Sequence, residues 1–398
     1  MSARSESRRG RRAVVLSGSI GRGHDSVAEA CVAALARTGM SAEILDAMRL
    51  LGRIESKVGD SVFRWLLAVP PLYDAFHFSQ MRVGTRLVER GEHESASRLV
   101  PRLRDHLAAQ PADVLLSVFA TGAGALGRLR PELPDTPAVV VCTDATAHRF
   151  WAHPGIDRYV VCSAMAAGTV RQYLPDMDIV LVPPPVRPVF FDAPGGAEAR
   201  AWLGIDDDVP CVLLMAGGWG LAPLQGAAEA LAEHGYRVLA VAGANRRLAR
   251  TLQDSAHRYP ADRGPGVTAY GFTDEVPALM AAADVVVTSA GQTCHEARVV
   301  GRPLVVLDVV PGHGRENLLL ELEHGGALAC TPRPEAVVAA VEAAKGGIEP
   351  AARPWPVANQ RQWDMRFLSV LGDLIGIDPA AVRAAEAEAG DDAERSAG

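Results

Sequence analysis

Three side chains with proton chemistry, His24, Asp144 and Glu296, each stand just beyond a short run of apolar, largely β-branched residues. His24 closes the glycine-rich stretch Ser17-Gly18-Ser19-Ile20-Gly21-Arg22-Gly23 that follows Ala13–Leu16, and Asp144 follows Ala138–Cys142. Glu296 lies one helical turn past Ala290-Gly291-Gln292, after the run Asp284–Thr288. An imidazole or a carboxylate in such a place can take or deliver a proton. Plainer readings stand beside these: histidine in a first helical turn often caps or faces solvent, and aspartate after a strand often caps a turn. Glu296 is acidic and inward, and a carboxylate there suits hydroxyl donors such as a ribose diol. Thr293 opens the same helix, whose free backbone N–H groups favour an anion. An anion site beside a diol reader points to a nucleotide diphosphate.

Positioning these groups requires strands whose carboxyl ends share one edge, because open α/β sheets bind ligands there. The chain repeats that pattern twice. In the first half Ala13–Leu16, a strand ending at Leu45-Asp46, Asp113–Val118, Ala138–Cys142 and Tyr159–Ser163 read as strands. The first is followed by a helix with Val27, Cys31, Ala34 and Leu35 on one face,. The stretch SGSIGRGH lacks the GxGxxG spacing of a dinucleotide fingerprint, although Asp46 supplies an acid on the second strand,. After Leu181–Pro188, a stiff proline-rich linker, the alternation restarts with Cys211–Met215, Val238–Val241, Val267–Tyr270, Val285–Thr288 and Pro303–Leu307,.

The expected fold class is therefore α/β with two Rossmann-like domains, spanning 13–188 and 189–345. A basic leader over 1–12, a terminal helix within 351–375 packing back on the body, and an acidic tail over 376–398 complete the chain. Gly217-Gly218 reads as a turn opening another helix N-terminus across from Gly291, so that the two turns cradle a pyrophosphate. Pro311-Gly312-His313-Gly314 forms a further loop before a helix expected from about Glu316.

Bulk composition narrows the classes. The 398 residues are 48% hydrophobic and 22% charged, which fits a soluble globular protein of two domains,. A net charge of -7 argues against nucleic acid as a partner,. Six scattered cysteines with no CxxC pair read as small buried hydrophobes of a reducing compartment,. No apolar run is long enough for a membrane span, so a cytoplasmic protein is expected, with peripheral membrane contact open through the arginine-rich leader or the aromatic segment Ser61–Met81. That segment is broken by Pro70-Pro71 and holds Phe63, Trp65, Leu66, Tyr73 and Phe76. It reads equally as a helical hairpin packed on the core and as a lipophilic acceptor surface. Asp206-Asp207-Asp208 reads as a solvated turn, not a metal motif.

Taken together, SGSIGRGH, WLLAVPPLYDAF, VCTDATAHRFWAHPGIDRYVVCS, AGGWG, GFTDEVPALMAAADVVVTSAGQTCHEA and PGHGREN resemble the monogalactosyldiacylglycerol synthases and bacterial diacylglycerol glucosyltransferases. The likeness extends more distantly to the enzyme that adds N-acetylglucosamine to the peptidoglycan lipid precursor. It implies the two-domain arrangement called GT-B, with a lipophilic acceptor on the first domain and a UDP-sugar on the second. Carried over by motif, Glu296 holds the ribose hydroxyls, Phe272 lies against the uracil, and Gly217, Gly218, Gly291 and Thr293 approach the diphosphate. Trp65, Tyr73 and Trp151 are the candidate acceptor contacts. Asn317 matches the last residue of the family's PGQExxN loop, but the Gln-Glu pair of that loop is replaced here by His313-Gly314. A protonated His313 can pair with phosphate, though it does not read sugar hydroxyls as Gln-Glu does.

The implied reaction is transfer of a hexose to an acceptor hydroxyl with inversion, using no cofactor and no metal. His24 or Asp144, singly or as a hydrogen-bonded pair, is then the base, while the two helix N-termini and His313 stabilise departing UDP. Two rival readings use the same donor site: a UDP-sugar epimerase or hydrolase, and a non-catalytic nucleotide-sugar or lipid-binding protein.

Overall fold

The computed structural model describes residues 10–18, 22–52, 86–218, 222–348, 359–376 and 378. The first sheet contains β1 (Arg12–Ser17), β2 (Ser41–Asp46), β3 (Val114–Ser117), β4 (Ala138–Cys142), β5 (Arg158–Val161) and β6 (Ile179–Leu181). Their order is β2-β1-β3-β4-β5-β6, and every pairing is parallel. Around it lie α1 (Gly23–Ala36), α2 (Ala47–Leu51), α3 (Arg86–Ala109), α4 (Ala120–Leu129) and α5 (Ala164–Tyr173). Along β1, Val14 and Leu16 enter the core on one face while Ala13 and Val15 enter the core on the other. A strand buried on both sides has no polar face, which is why it reads as an unbroken apolar run.

A second parallel sheet follows, with β7 (Cys211–Met215), β8 (Arg237–Val241), β9 (Gly266–Tyr270), β10 (Val285–Ser289), β11 (Leu304–Leu307) and β12 (Ala327–Cys330). Its order is β12-β11-β10-β7-β8-β9, the doubly wound arrangement of a Rossmann domain,. Its helices are α6 (Pro188–Phe191), α7 (Gly196–Leu203), α8 (Gln225–Glu233), α9 (Arg246–Arg258), α10 (Val276–Ala282), α11 (Gln292–Val299), α12 (His313–Glu323) and α13 (Pro334–Lys345). Again both faces are packed, Val212 and Leu214 on one side and Leu213 and Met215 on the other.

The last helix, α14 (Gln360–Ile375), follows the second domain in sequence but packs on the first. Trp363, Phe367, Leu368 and Leu371 join the core beside β1 and α1, and the Trp363 indole N–H donates to the Pro183 carbonyl at 2.8 Å. Arg37 pairs with the buried Asp364 at 2.6 Å, and Arg158 holds Asp373 through two bonds of 2.6 and 2.9 Å. The chain thus crosses between domains twice.

Several elements differ from expectation. β6 and β12, not among the expected strands, are short edge strands of three and four apolar residues with only partial burial, one ending a residue before the prolines at 183–185. The helix expected over Leu224–His234 is α8, but it begins at Gln225, beyond Pro223, so the Gly217-Gly218 turn does not itself open a helix N-terminus,. α12 begins at His313, ahead of Glu316, where Gly312 turns the chain at φ +58. Asp206–Asp208 lies in the turn between α7 and β7, with Asp206 paired to Arg263 at 2.8 Å. Among the described residues the six cysteines are all free thiols.

Candidate active site

Strand order reverses between β1 and β3 in the first sheet and between β7 and β10 in the second. At such a switch point the two following loops diverge and leave a crevice at the carboxyl edge. The two crevices here face each other and enclose one cavity of about 500 Å³. Of the residues singled out in the sequence, His24, Asp144, Trp151, Gly217, Gly218, Phe272, Gly291, Thr293, Glu296 and His313 all line it. Trp65 and Tyr73 fall outside the described residues. Asn317 does not line the cavity: its side-chain oxygen accepts the Ala145 backbone N–H at 2.8 Å, across the domain boundary. Next to it, Glu316 accepts a bond from the Thr146 hydroxyl, so the first turns of α12 clasp the loop after β4.

On the first-domain wall, His24 stands in the first turn of α1 with Nδ1 2.8 Å from the Val118 carbonyl. A carbonyl only accepts, so Nδ1 carries the proton and the neutral ring keeps its lone pair on Nε2. Phe119 meets the imidazole edge-on, with ring centroids 5.2 Å apart. Asp144 accepts a 3.0 Å bond from the Trp151 indole N–H. His24 and Asp144 therefore do not form the hydrogen-bonded pair considered above, since the carbonyl and the indole occupy them instead. Trp151 is only 1% exposed and forms a part of the cavity wall held by Asp144.

Glu296 dominates the facing wall. It is 4% exposed, and burial pushes its carboxyl up to about 7, although the Arg187 guanidinium 3.2 Å away pulls the other way. Arg187 also lies 3.6 Å from Glu29 of α1, so one linker cation stands between a carboxylate of each domain. Gln292 donates its amide N–H to the Pro185 carbonyl, fastening the start of α11 to the same linker. Gly291 caps α11 at φ +154, a conformation that L side chains rarely adopt,. Phe272 is 56% exposed at the rim. The His313-Gly314 departure has a packing reason: a Cβ on Gly314 would stand 2.3 Å from the Val310 Cβ, so the loop closes onto α12 only with glycine there.

Behind this wall α11 and α12 are braced by a second buried group. Arg298 on α11 ion-pairs with the Glu321 carboxylate on α12 and also bonds its carbonyl at 2.9 Å. Burial pushes the Glu321 carboxyl up to about 7 against the opposing pull of Arg298.

Neither of the two arginines lining the cavity was picked out from sequence. Arg22, just ahead of α1, places its guanidinium 5.0 Å from the centre of the Phe272 ring. Arg187 was read only as part of a linker; a cation within an apolar, proline-rich stretch was the signal available.

The fold is of the GT-B class, two facing Rossmann-like domains with a cleft between them. Solved structures share it across almost the whole chain. MurG of Acinetobacter baumannii superimposes with a TM-score of 0.53 at 13% identity, covering 92% of this chain and 100% of that one. A UDP-GlcNAc 2-epimerase from Neisseria meningitidis, bound to UDP-GlcNAc, gives 0.57 at 11% identity over 91% and 99%. These likenesses establish the fold. Residues 24–174 match the model of the monogalactosyldiacylglycerol (MGDG) synthase family. The probable chloroplastic monogalactosyldiacylglycerol synthase 2 of rice is 32% identical over 214 residues, 50% of this chain and 44% of that protein. The chloroplastic synthase of spinach is 27% identical over 281 residues, 66% of this chain and 52% of that protein. The resemblance read from the motifs is thereby shown, while the chain spans about half the length of the curated relatives it matches.

Proposed function

We propose that this protein is a hexosyltransferase that moves a sugar from a UDP-sugar to a hydroxyl of a lipid or lipophilic acceptor, with inversion. One observation carries the reading: a buried carboxylate on one wall of a single cavity faces an imidazole with an available Nε2 on the other. Glu296 accepts the ribose hydroxyls, Phe272 stacks on the uracil, and the backbone N–H groups at the start of α11 receive the diphosphate. His24 Nε2 takes the acceptor proton as its oxygen attacks the anomeric carbon. The bond from that carbon to the β-phosphate oxygen breaks, and its electron pair leaves with UDP. Asp144 orients Trp151 beside the base. The family match lies on the first domain, which supports a lipid-type acceptor there.

No metal or cofactor takes part in this scheme. Among the described residues no helix is long and apolar enough to cross a membrane, and we infer that the protein reaches its acceptor from the cytoplasmic side by peripheral contact. The test is turnover of a UDP-hexose panel against a membrane lipid extract containing diacylglycerol, with and without EDTA, followed by mass spectrometry. A lipid heavier by one hexose residue, formed with equimolar UDP and unaffected by EDTA, is expected. Release of free sugar or an epimer without any acceptor would favour the rival enzyme reading; UDP binding with no product would favour the binding-protein reading.

A further inference from the structure

The cavity that would receive a nucleotide diphosphate is short of positive charge on its own domain. Among its lining residues Arg22 and Arg187 are the two with a permanent cation. Arg187 is engaged by the buried Glu296 and by Glu29, so its charge is already answered within the protein. Arg22 instead reaches across the cleft from the first domain. Its Cβ lies 2.7 Å from where a Cβ on Gly218 would stand, and its guanidinium rests 5.0 Å from the centre of the half-exposed Phe272 ring. The absence of a side chain at Gly218 is what lets the two domains approach here,. Arg22 is therefore seated between the glycine turn after β7 and the aromatic ring at the rim.

We propose that Arg22 is the cation that neutralises the diphosphate of the donor, supplied from the acceptor domain, and that it occupies the Phe272 ring only while the nucleotide is absent. The inference rests on the UDP-sugar reading. A base stacking on Phe272 takes the surface that the guanidinium covers. A released arginine side chain can swing to the adjacent Gly217-Gly218 turn, where its planar fork suits phosphate oxygens. During transfer it faces the β-phosphate oxygen as that atom gains the electron pair of the broken sugar bond. Because the cation and His24 belong to the same segment, a closed cleft would bring base and leaving-group stabiliser into place together. No metal is needed for the charge balance so described.

Binding of uridine, UMP and UDP to the full chain, measured by calorimetry for wild type, Arg22→Ala and Arg22→Gln, tests the assignment. Removing the cation should weaken UDP on the order of 10- to 100-fold while leaving uridine unchanged or tighter, because the ring is freed. The wild-type gain from uridine to UDP should also shrink as salt rises, and that salt dependence should be lost in both variants. Uridine binding by the variants shows that the fold and the base site persist. UDP affinity within about twofold of wild type in either folded variant would overturn the role of Arg22 and leave the donor reading intact. Wild-type protein that binds neither uridine nor UDP would remove the donor reading itself and this inference with it.

Discussion

Replacing Glu296 by glutamine should remove the loss of stability that this carboxyl brings as pH rises, while costing the protein its nucleoside affinity. The carboxyl is 4% exposed, and burial moves its pKa from 4.5 to about 7. A raised carboxyl pKa means that the folded state holds the proton more tightly than the unfolded chain does. Its stabilising contribution is thus complete below pH 4.5 and is lost as pH rises to about 7,. The shift corresponds to about 3 kcal/mol at ~1.36 kcal/mol per unit. Glutamine keeps the shape and does not titrate. Denaturant unfolding of both chains at pH 5 and pH 8 supplies a double difference in which every other ionisable group, Glu321 included, cancels. The variant should gain about 2–3 kcal/mol on wild type between the two conditions. A stability gap that stays constant with pH would show that this carboxyl is not held protonated by burial. Ligand binding reports the same proton from the other side. Ribose hydroxyls donate to the ionised carboxylate, so uridine should bind wild type about tenfold more tightly at pH 8 than at pH 6 and bind Glu296→Gln weakly at both.

Three further outcomes are expected. His24→Ala should lower kcat by about 10²- to 10⁴-fold with UDP affinity unchanged in calorimetry, because the imidazole acts on the acceptor and not the nucleotide; equal turnover would remove it as the base. Trp363→Ala should destabilise the first domain by about 3–5 kcal/mol in denaturant titration, since the ring is 1% exposed, stacks on Phe367 at 5.0 Å and bonds Pro183; a loss below ~1 kcal/mol would show that α14 is not part of that core,. Gly314→Glu, which restores the family residue at that position, should cost about 1–3 kcal/mol and weaken donor binding, because its Cβ would meet Val310 at 2.3 Å; full stability would refute the packing account of this departure,.

The strands were legible because β-branched runs such as Val285–Val287 are buried on both faces and leave no polar residue to interrupt them,. Glycine turns behind β1 and β10 and the polar loop after β4 mark the carboxyl edge, and they place His24, Asp144, Gly291 and Glu296 around one cavity. What could not be read were contacts set by the facing of the two domains. His24 and Asp144 share an edge, but whether they touch depends on the Val118 carbonyl and the Trp151 indole, neither of which has a sequence signature. Trp151 lines the cavity as its place beyond β4 suggests, but its burial and its bond to Asp144 carried no sequence signal.

Asn317 shows why motif position alone misplaces a residue in a cleft. By motif it belongs to the donor, yet its amide oxygen holds the Ala145 backbone while Glu316 holds Thr146, both in the loop that also carries Asp144. Arg187 likewise spans Glu29 and Glu296. These contacts join the domains on the walls that carry the candidate base and the candidate ribose reader, so movement of one domain alters both subsites together. A single side chain such as Asn317 can therefore answer the backbone in one arrangement and a ligand in another, and its role follows from which arrangement the bound nucleotide favours.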